Sequence, residues 1–258
     1  MIELDKIYNE DCLEGMKRIP DKYIDCIICD LPYGVLNQNN KHAKWDQIIP
    51  LDKLWEQYLR IIKPTSAIVL FSQGMFTAEL MMSQPKLWRY NLIWDKSRVT
   101  GFLNARRMPL RCHEDICVFY DKLPTYNPQM TKCLPHQRNH SRGKNLKEET
   151  NRCYGNFNRA EEIITDEKYP RSIVSIPNKI QGNIHPTQKP VELISWFVRT
   201  YSNPNDIVLD NCMGSGTTAI ACIQEQRHYI GFEMDRGFFE KSQERIDKEL
   251  HQKQLTLF

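Results

Sequence analysis

The 258-residue chain has no long apolar run. Its most hydrophobic stretches, residues 67–71 among them, fall far short of the ~20 residues that a membrane span needs. Glu3, Asp5 and Lys6 interrupt any early apolar segment, so no secretory leader is expected. Charge of one sign is not in excess: 35 Lys and Arg stand against 32 Asp and Glu, a net +3, so global charge announces no polyanionic partner. Low-complexity tracts and internal repeats are missing. With 41% hydrophobic and 10% aromatic residues, the composition is not that of a disordered chain. Cysteine is present without a framework. Nine thiols cannot all pair, and Cys26, Cys29, Cys117 and Cys222 stand in apolar runs, where a thiol behaves as a small hydrophobe. A reducing, cytoplasmic setting is expected. Cys26-Ile27-Ile28-Cys29 has zinc-like spacing, but no second pair matches it, and residues three apart in a strand face opposite ways. No metal site is expected.

What is there is an alternation of short apolar runs and helical spacings. At ~150 residues per domain, the length fits one domain with an insertion. Strands are expected at 6–9, 23–29, 67–71, 92–94, 115–120, 207–209 and 229–232, and helices at 12–19, 51–62, 191–201, 217–226 and 236–250. Runs 23–29 and 67–71 are apolar almost throughout, as in central parallel strands covered on both faces. The pattern predicts an α/β fold, an open parallel sheet with helices on both faces. Residues 121–177 break it. Between Lys132 and Arg159 lie seven Lys or Arg against only Glu148 and Glu149, interleaved with Asn139, Asn145, Tyr154 and Phe157. A solvated loop has the same composition. A loop this long inside a domain is otherwise uncommon.

Two stretches carry chemistry. In the first, a buried run ends in Asp30-Leu31-Pro32-Tyr33-Gly34. Ligands in open α/β sheets bind beyond the carboxyl ends of strands. Pro32 fixes its own φ and biases Leu31 towards extended geometry. The Asp30 carboxylate and the Leu31 carbonyl then become two acceptors on a stiff turn beside the flat face of Tyr33. That set suits a planar group bearing an exocyclic NH2. An ordinary βα turn capped by Asp30 reads the same way. In the second, a strand runs through Asp210-Asn211-Cys212-Met213-Gly214-Ser215-Gly216-Thr217-Thr218 into a helix, and a further strand ends at Glu233-Met234-Asp235. Glycines permit close approach, and an acidic residue about 20 positions on suits ribose hydroxyls. The dinucleotide fingerprint fails at Ala219, and no Lys follows Gly216 as a phosphate loop requires. A nucleoside without phosphates is the implied ligand. A tight turn with no ligand has the same sequence.

Taken together, these residues resemble the amino-group DNA methyltransferases that use S-adenosylmethionine. The Asp-Pro-Pro-Tyr signature of that family is similar to Asp30-Leu31-Pro32-Tyr33. Its glycine-rich cofactor loop is similar to Asp210 through Thr218, its acidic ribose position to Glu233. His185-Pro186-Thr187-Gln188-Lys189-Pro190 carries a further family motif, and Asn9-Glu10-Asp11-Cys12-Leu13 looks like the segment that meets the cofactor adenine. The resemblance covers nearly the whole chain apart from the basic insertion. It implies a Rossmann-like class I methyltransferase sheet. The order of motifs implies the circularly permuted β group, with the insertion at its target-recognition position. On that basis residues 1–120 and 178–250 form the catalytic domain and 121–177 the recognition insertion.

The resemblance assigns Asp30, Leu31, Pro32 and Tyr33 to the target base. It assigns Asp11, Cys12, His185, Thr187, Gln188, Lys189, Asp210, Asn211, Gly214, Ser215, Gly216, Thr217, Glu233 and Met234 to the cofactor. Arg138, Arg142, Lys144, Lys147, Arg152 and Arg159 would contact duplex DNA. The expected activity is methyl transfer to adenine N6, as in modification enzymes of restriction–modification systems, since Asp30 stands where Ser would favour cytosine N4. Cytosine N4, RNA, a protein amide and an inactive DNA-binding relative are the alternatives. Two departures stand out. Leu31 replaces the first proline but keeps the carbonyl, and Asn211-Cys212 replaces Pro-Phe and removes an aromatic surface. The tail, 251–258, ends in Gln254-Leu255-Thr256-Leu257-Phe258, which looks like a peptide that docks on the bacterial sliding clamp through Gln254, Leu255, Leu257 and Phe258. A tail folded back on its own domain is the alternative. Similar enzymes are often homodimers.

Overall fold

The computed structural model describes residues 2–34, 46–132, 150–151, 155–156, 166–178 and 184–255. By compactness the chain divides into Met1–Asn127 with Ser172–Phe258, and Pro128–Arg171.

The larger unit is built on an eight-stranded sheet. In chain order its elements are β1 (Lys6–Tyr8), α1 (Cys12–Met16), β2 (Ile24–Asp30), α2 (Leu51–Ile61), β3 (Ile62–Ser72), α3 (Met75–Ser83), β4 (Trp88–Thr100) and β5 (Arg111–Phe119). The smaller unit contributes β6 (Thr131–Lys132), β7 (Thr150–Asn151), β8 (Gly155–Asn156) and β9 (Glu167–Lys168). The larger unit resumes with β10 (Ile173–Ser175), α4 (Val191–Tyr201), β11 (Ile207–Asp210), α5 (Thr217–Gln224), β12 (His228–Phe232) and α6 (Arg236–Leu255). The sheet order is β1-β12-β11-β2-β3-β5-β4-β10. All neighbours are parallel except those of β5, which runs against both β3 and β4. The sheet is mostly parallel, as expected of the open α/β fold, and β5 is its antiparallel strand. A hairpin without a crossover helix joins β4 to β5, and such a connection makes antiparallel neighbours.

Burial on both faces explains the continuous apolar runs. Ala67, Val69 and Phe71 enter one core while Ile68 and Leu70 enter the other. Helices α4, α5 and α6 contribute to the first core, α1, α2 and α3 to the second, giving three layers. Cys26 and Cys29 sit in opposite cores, so they cannot hold one ion.

Helix α4 has the expected bounds. Helix α3 has no counterpart in the sequence reading, and β3 and β4 extend well beyond the expected 67–71 and 92–94. At the expected break, residues on both sides of the insertion belong to the main unit. Asn127 N–H donates to the Thr200 carbonyl at 2.8 Å, and β10 pairs with β4 through Ile173 and Ile93. In the smaller unit β6 pairs with β9 and β7 with β8, each antiparallel.

Candidate active site

Strands β2, β11 and β12 run parallel, so their carboxyl ends, Asp30, Asp210 and Phe232, come to one edge of the sheet. A cavity of about 620 Å³ opens there. It is lined by the whole turn Asp30–Leu31–Pro32–Tyr33 and by Asp210, Asn211, Gly214, Ser215 and Thr217. Glu233 and Met234 line it as well, as do Asp11, Cys12, His185, Thr187, Gln188 and Lys189. Of the residues assigned from the sequence to base or cofactor, only Gly216 stands off the wall. It serves instead as the left-handed residue (φ 76°) that starts α5.

The loop after β11 is fixed from several sides. Met213 N–H donates to the Phe232 carbonyl at 2.8 Å. Asp210 is buried and accepts from Cys212 N–H at 3.0 Å and Thr218 Oγ1 at 2.6 Å, and burial pushes its carboxyl up to about 6. Glu233 accepts from Gly214 N–H and Asp235 N–H, each at 2.8 Å. Burial raises the Glu233 carboxyl despite these two bonds. Each of its oxygens keeps a second lone pair for a hydroxyl. Asp11 caps α1, with Oδ1 accepting from Leu13 N–H at 2.8 Å and Glu14 N–H at 3.3 Å. Asn211, which stands where the family has proline, is buried: it accepts from Tyr58 and donates to Cys12 Sγ at 3.6 Å. The substitution thus gains a polar anchor where it loses an apolar one.

The 185–190 segment packs against this loop. His185 Nδ1 accepts from Thr187 N–H at 3.3 Å, and its ring lies edge-on to Phe238 at 4.2 Å. Burial, with the nearby Lys189 charge, brings the His185 pKa down to about 4, so the ring is neutral at pH 7. Gln188 accepts from Ile184 N–H at 3.2 Å, and Thr217 Oγ1 donates to the Lys189 carbonyl at 3.3 Å.

The environment of Asp30 differs from the open acceptor pair expected from sequence. Tyr33 donates to Oδ1 at 2.7 Å, and Lys189 pairs with Oδ2. The Lys189 ammonium also lies 3.4 Å from Glu114 Oε2, and Lys96 lies 3.1 Å from Glu114 Oε1. Lys189 was expected among the cofactor residues. It lines the cavity but is an ion-pair partner of the Asp30 turn, because a buried ammonium must be matched by carboxylates. Burial raises Asp30, and the Lys189 charge only partly offsets it. Burial also acts on Glu114, but the Lys189 and Lys96 charges outweigh it and hold that carboxyl below its usual range. Glu114 Oε2 is buried and has no hydrogen-bond partner among the described residues.

Sequence reasoning missed Glu114 and Lys96, which reach the cavity from β5 and β4, and Arg245 of α6, which donates to the Ser215 carbonyl and Thr217 Oγ1 at 2.9 Å each. No local spacing links these residues to the motifs. Asn9 donates to the Glu233 carbonyl at 2.8 Å. Arg138, Arg142, Lys144, Lys147, Arg152 and Arg159 lie outside the described residues, as do Leu257 and Phe258. Gln254 and Leu255 are the end of α6.

Over residues 24–244 the chain matches the N6/N4 DNA methylase family, and it belongs to that family. It is 26% identical over 257 residues to the Type II methyltransferase M1.MboII of Moraxella bovis, covering 92% of this chain and 95% of that protein. With the Type II methyltransferase M.HinfI of Haemophilus influenzae it shares 28% identity over 270 residues, 94% of this chain and 68% of that one. Among solved structures, the M1.HpyAVI–SAM complex superposes with a TM-score of 0.62 at 23% identity, over 93% of this chain and 98% of that chain. The cytosine-N4-specific PvuII DNA methyltransferase superposes at 0.65 with 16% identity, over 95% and 90%. The fold is therefore that of the α/β DNA methyltransferases.

Proposed function

We propose that the chain transfers the methyl group of S-adenosylmethionine to the exocyclic N6 of an adenine flipped out of duplex DNA. The observation that carries this reading is one cavity holding both the Asp30–Tyr33 turn and the Gly214 loop, at the ends of the adjacent strands β2 and β11. The residues fit the cofactor. The cavity is of ligand size. Glu233 offers lone pairs for ribose hydroxyls, Phe232, Phe238 and Ile49 supply apolar wall, and a Cβ added at Gly214 would meet nothing closer than His185 at 3.8 Å. When bound, S-adenosylmethionine supplies an electrophilic methyl group on a sulfonium.

The chain's own residues then handle the amine. Its lone pair is delocalised into the ring and is a poor nucleophile. Asp30 and the Leu31 carbonyl accept its two hydrogens, which localises the lone pair and aims it. For this, Asp30 Oδ2 gives up Lys189, and the ammonium shifts its weight to Glu114 Oε2, already 3.4 Å away. Tyr33 offers a face to the extruded base, which a duplex would otherwise keep out of reach. The motif order, with the Asp30 strand before the Gly214 strand and the 128–171 unit between them, supports assignment to the permuted β group. It also supports a recognition role for the basic insertion. Asp30 at the signature's first position favours adenine over cytosine.

The test is methyl transfer from radiolabelled S-adenosylmethionine to unmethylated duplex DNA, followed by nucleoside mass spectrometry. N6-methyladenine is expected, and Asp30→Ala should abolish it while calorimetry shows the cofactor still bound. N4-methylcytosine would redirect the reading to cytosine. Methyl transfer to RNA or glutamine amides alone would overturn it.

A further inference from the structure

The hairpin between β4 and β5 is not used by any of the chemistry above. Its tip exposes large apolar side chains: Phe102 is 76% exposed and Leu103 85%, with Met108 and Val99 also more than half exposed. Such residues seldom face water together without a partner. Four arginines, Arg98, Arg106, Arg107 and Arg111, are exposed around them and form no ion pair among the described residues. From Lys96 to His113 there is no acidic residue. The tip is also preformed. Gly101 turns the chain at φ 81°, and backbone bonds close the turn from Asn104 N–H to the Gly101 carbonyl (2.9 Å) and from Arg107 N–H to the Asn104 carbonyl (2.8 Å). Its root is part of the site, since Lys96 and Thr100 on β4 line the cavity.

We infer that this hairpin is a duplex-DNA contact separate from the basic insertion, with the arginines on phosphates and Phe102 and Leu103 as an apolar wedge. The inference rests on the reading that a base is flipped into the cavity. Extruding a base leaves an unstacked gap in the helix, and an apolar side chain inserted between base steps compensates the lost stacking. Cationic side chains flanking the wedge match the phosphates on either side. A protein partner would satisfy the apolar tip, but it gives no reason for four unpaired cations without one acidic residue.

Two double variants test this: Arg106→Gln with Arg107→Gln, and Phe102→Ala with Leu103→Ala. Each is compared with the unaltered protein by cofactor calorimetry, which reports folding. Fluorescence anisotropy on a labelled mixed-sequence duplex reports binding, and methyl transfer to plasmid DNA reports activity. The arginine pair should weaken duplex binding about tenfold near physiological salt and reduce the log–log salt slope by about 2. The wedge pair should slow methyl transfer at least ~10-fold while changing duplex affinity less. Its deficit should be larger on relaxed than on negatively supercoiled plasmid, where unpairing is easier. If the unaltered protein neither binds duplex nor methylates it, the functional reading fails and this inference with it. If the unaltered protein does both and both variants match it, the inference alone fails. If sedimentation shows a dimer that the wedge variant dissolves, the tip is a contact between copies, and the inference is likewise overturned.

Discussion

Lys189 sits between two carboxylates whose environments pull in opposite directions. Asp30 is raised by burial and Glu114 is held low by two ammonium groups. That asymmetry sets the sign of two opposite responses. Lys189→Met removes the cation that partly offsets the burial of Asp30 and leaves the Glu114 charge in place. The Asp30 carboxyl then rises further and stays protonated to a higher pH. A protonated Asp30 has lost acceptor capacity, so the acid limb of the kcat/KM profile should move to higher pH. Glu114→Gln removes a like charge from the neighbourhood of Asp30 and leaves Lys189 undivided. The acid limb should move to lower pH. At its plateau kcat should still fall about tenfold, equivalent to ~1.4 kcal/mol of barrier, because the ammonium has no second place to go. Each change breaks a buried pair and should lower stability by about 3–5 kcal/mol. Urea unfolding measures that cost, and pH–rate profiles separate the two signs. Unchanged limbs in both variants would remove Lys189 from any role at Asp30.

The glycine-rich loop shows what an element can demand of one position. Gly216 has φ 76°, and a Cβ there would stand 3.2 Å from the Ser242 Cβ of α6. Gly216→Ala should cost about 2 kcal/mol in the left-handed region alone. That is a fall in Tm of roughly 4–8 °C for a chain of this size, measured by thermal unfolding, with cofactor affinity reduced. This loop, the Asp30 turn and the strands beneath them were legible in the sequence because each is local: an apolar run, then a turn residue type, then a helical period. Helix α3 was not. Phe76 and Leu80 face the core, but Met75 and Met82, each about 75% exposed, put apolar residues on the outer face as well and erase the period. The direction of β5 was hidden for a related reason, since an apolar strand buried on both faces reads alike in either sense. Glu114 and Arg245 were illegible because partners lie far away in the chain, at Lys189 and at Ser215 with Thr217, and Lys96 because it meets Glu114 across the β4–β5 pairing. Only the pairing of β5 with β4 and the packing of α6 bring them in.

On the scale of the whole molecule, the cavity and the basic insertion are separable in the chain. Among the described residues, those that line the cavity all belong to Met1–Asn127 or Ser172–Phe258. The main sheet completes itself on the far side of the insertion, with β10 pairing to β4 before α4 begins. The core therefore does not need the insertion in order to close. Replacing 128–171 by a short Gly/Ser linker changes loop length, and loop closure entropy varies only slowly with length, by about 0.6 kcal/mol per doubling. The shortened protein should still unfold cooperatively and bind S-adenosylmethionine with near-native affinity in calorimetry. If the insertion reads DNA, the same protein should lose site-selective methylation in plasmid sequencing with detection of modified bases. The salt dependence of its residual DNA binding should also flatten, by about 0.9 for each phosphate contact removed. Retained selectivity would move recognition out of the insertion and onto the main unit, where the Phe102 hairpin is the exposed cationic element at the cavity. Loss of cofactor binding would instead mean that the two parts of the chain are one energetic unit.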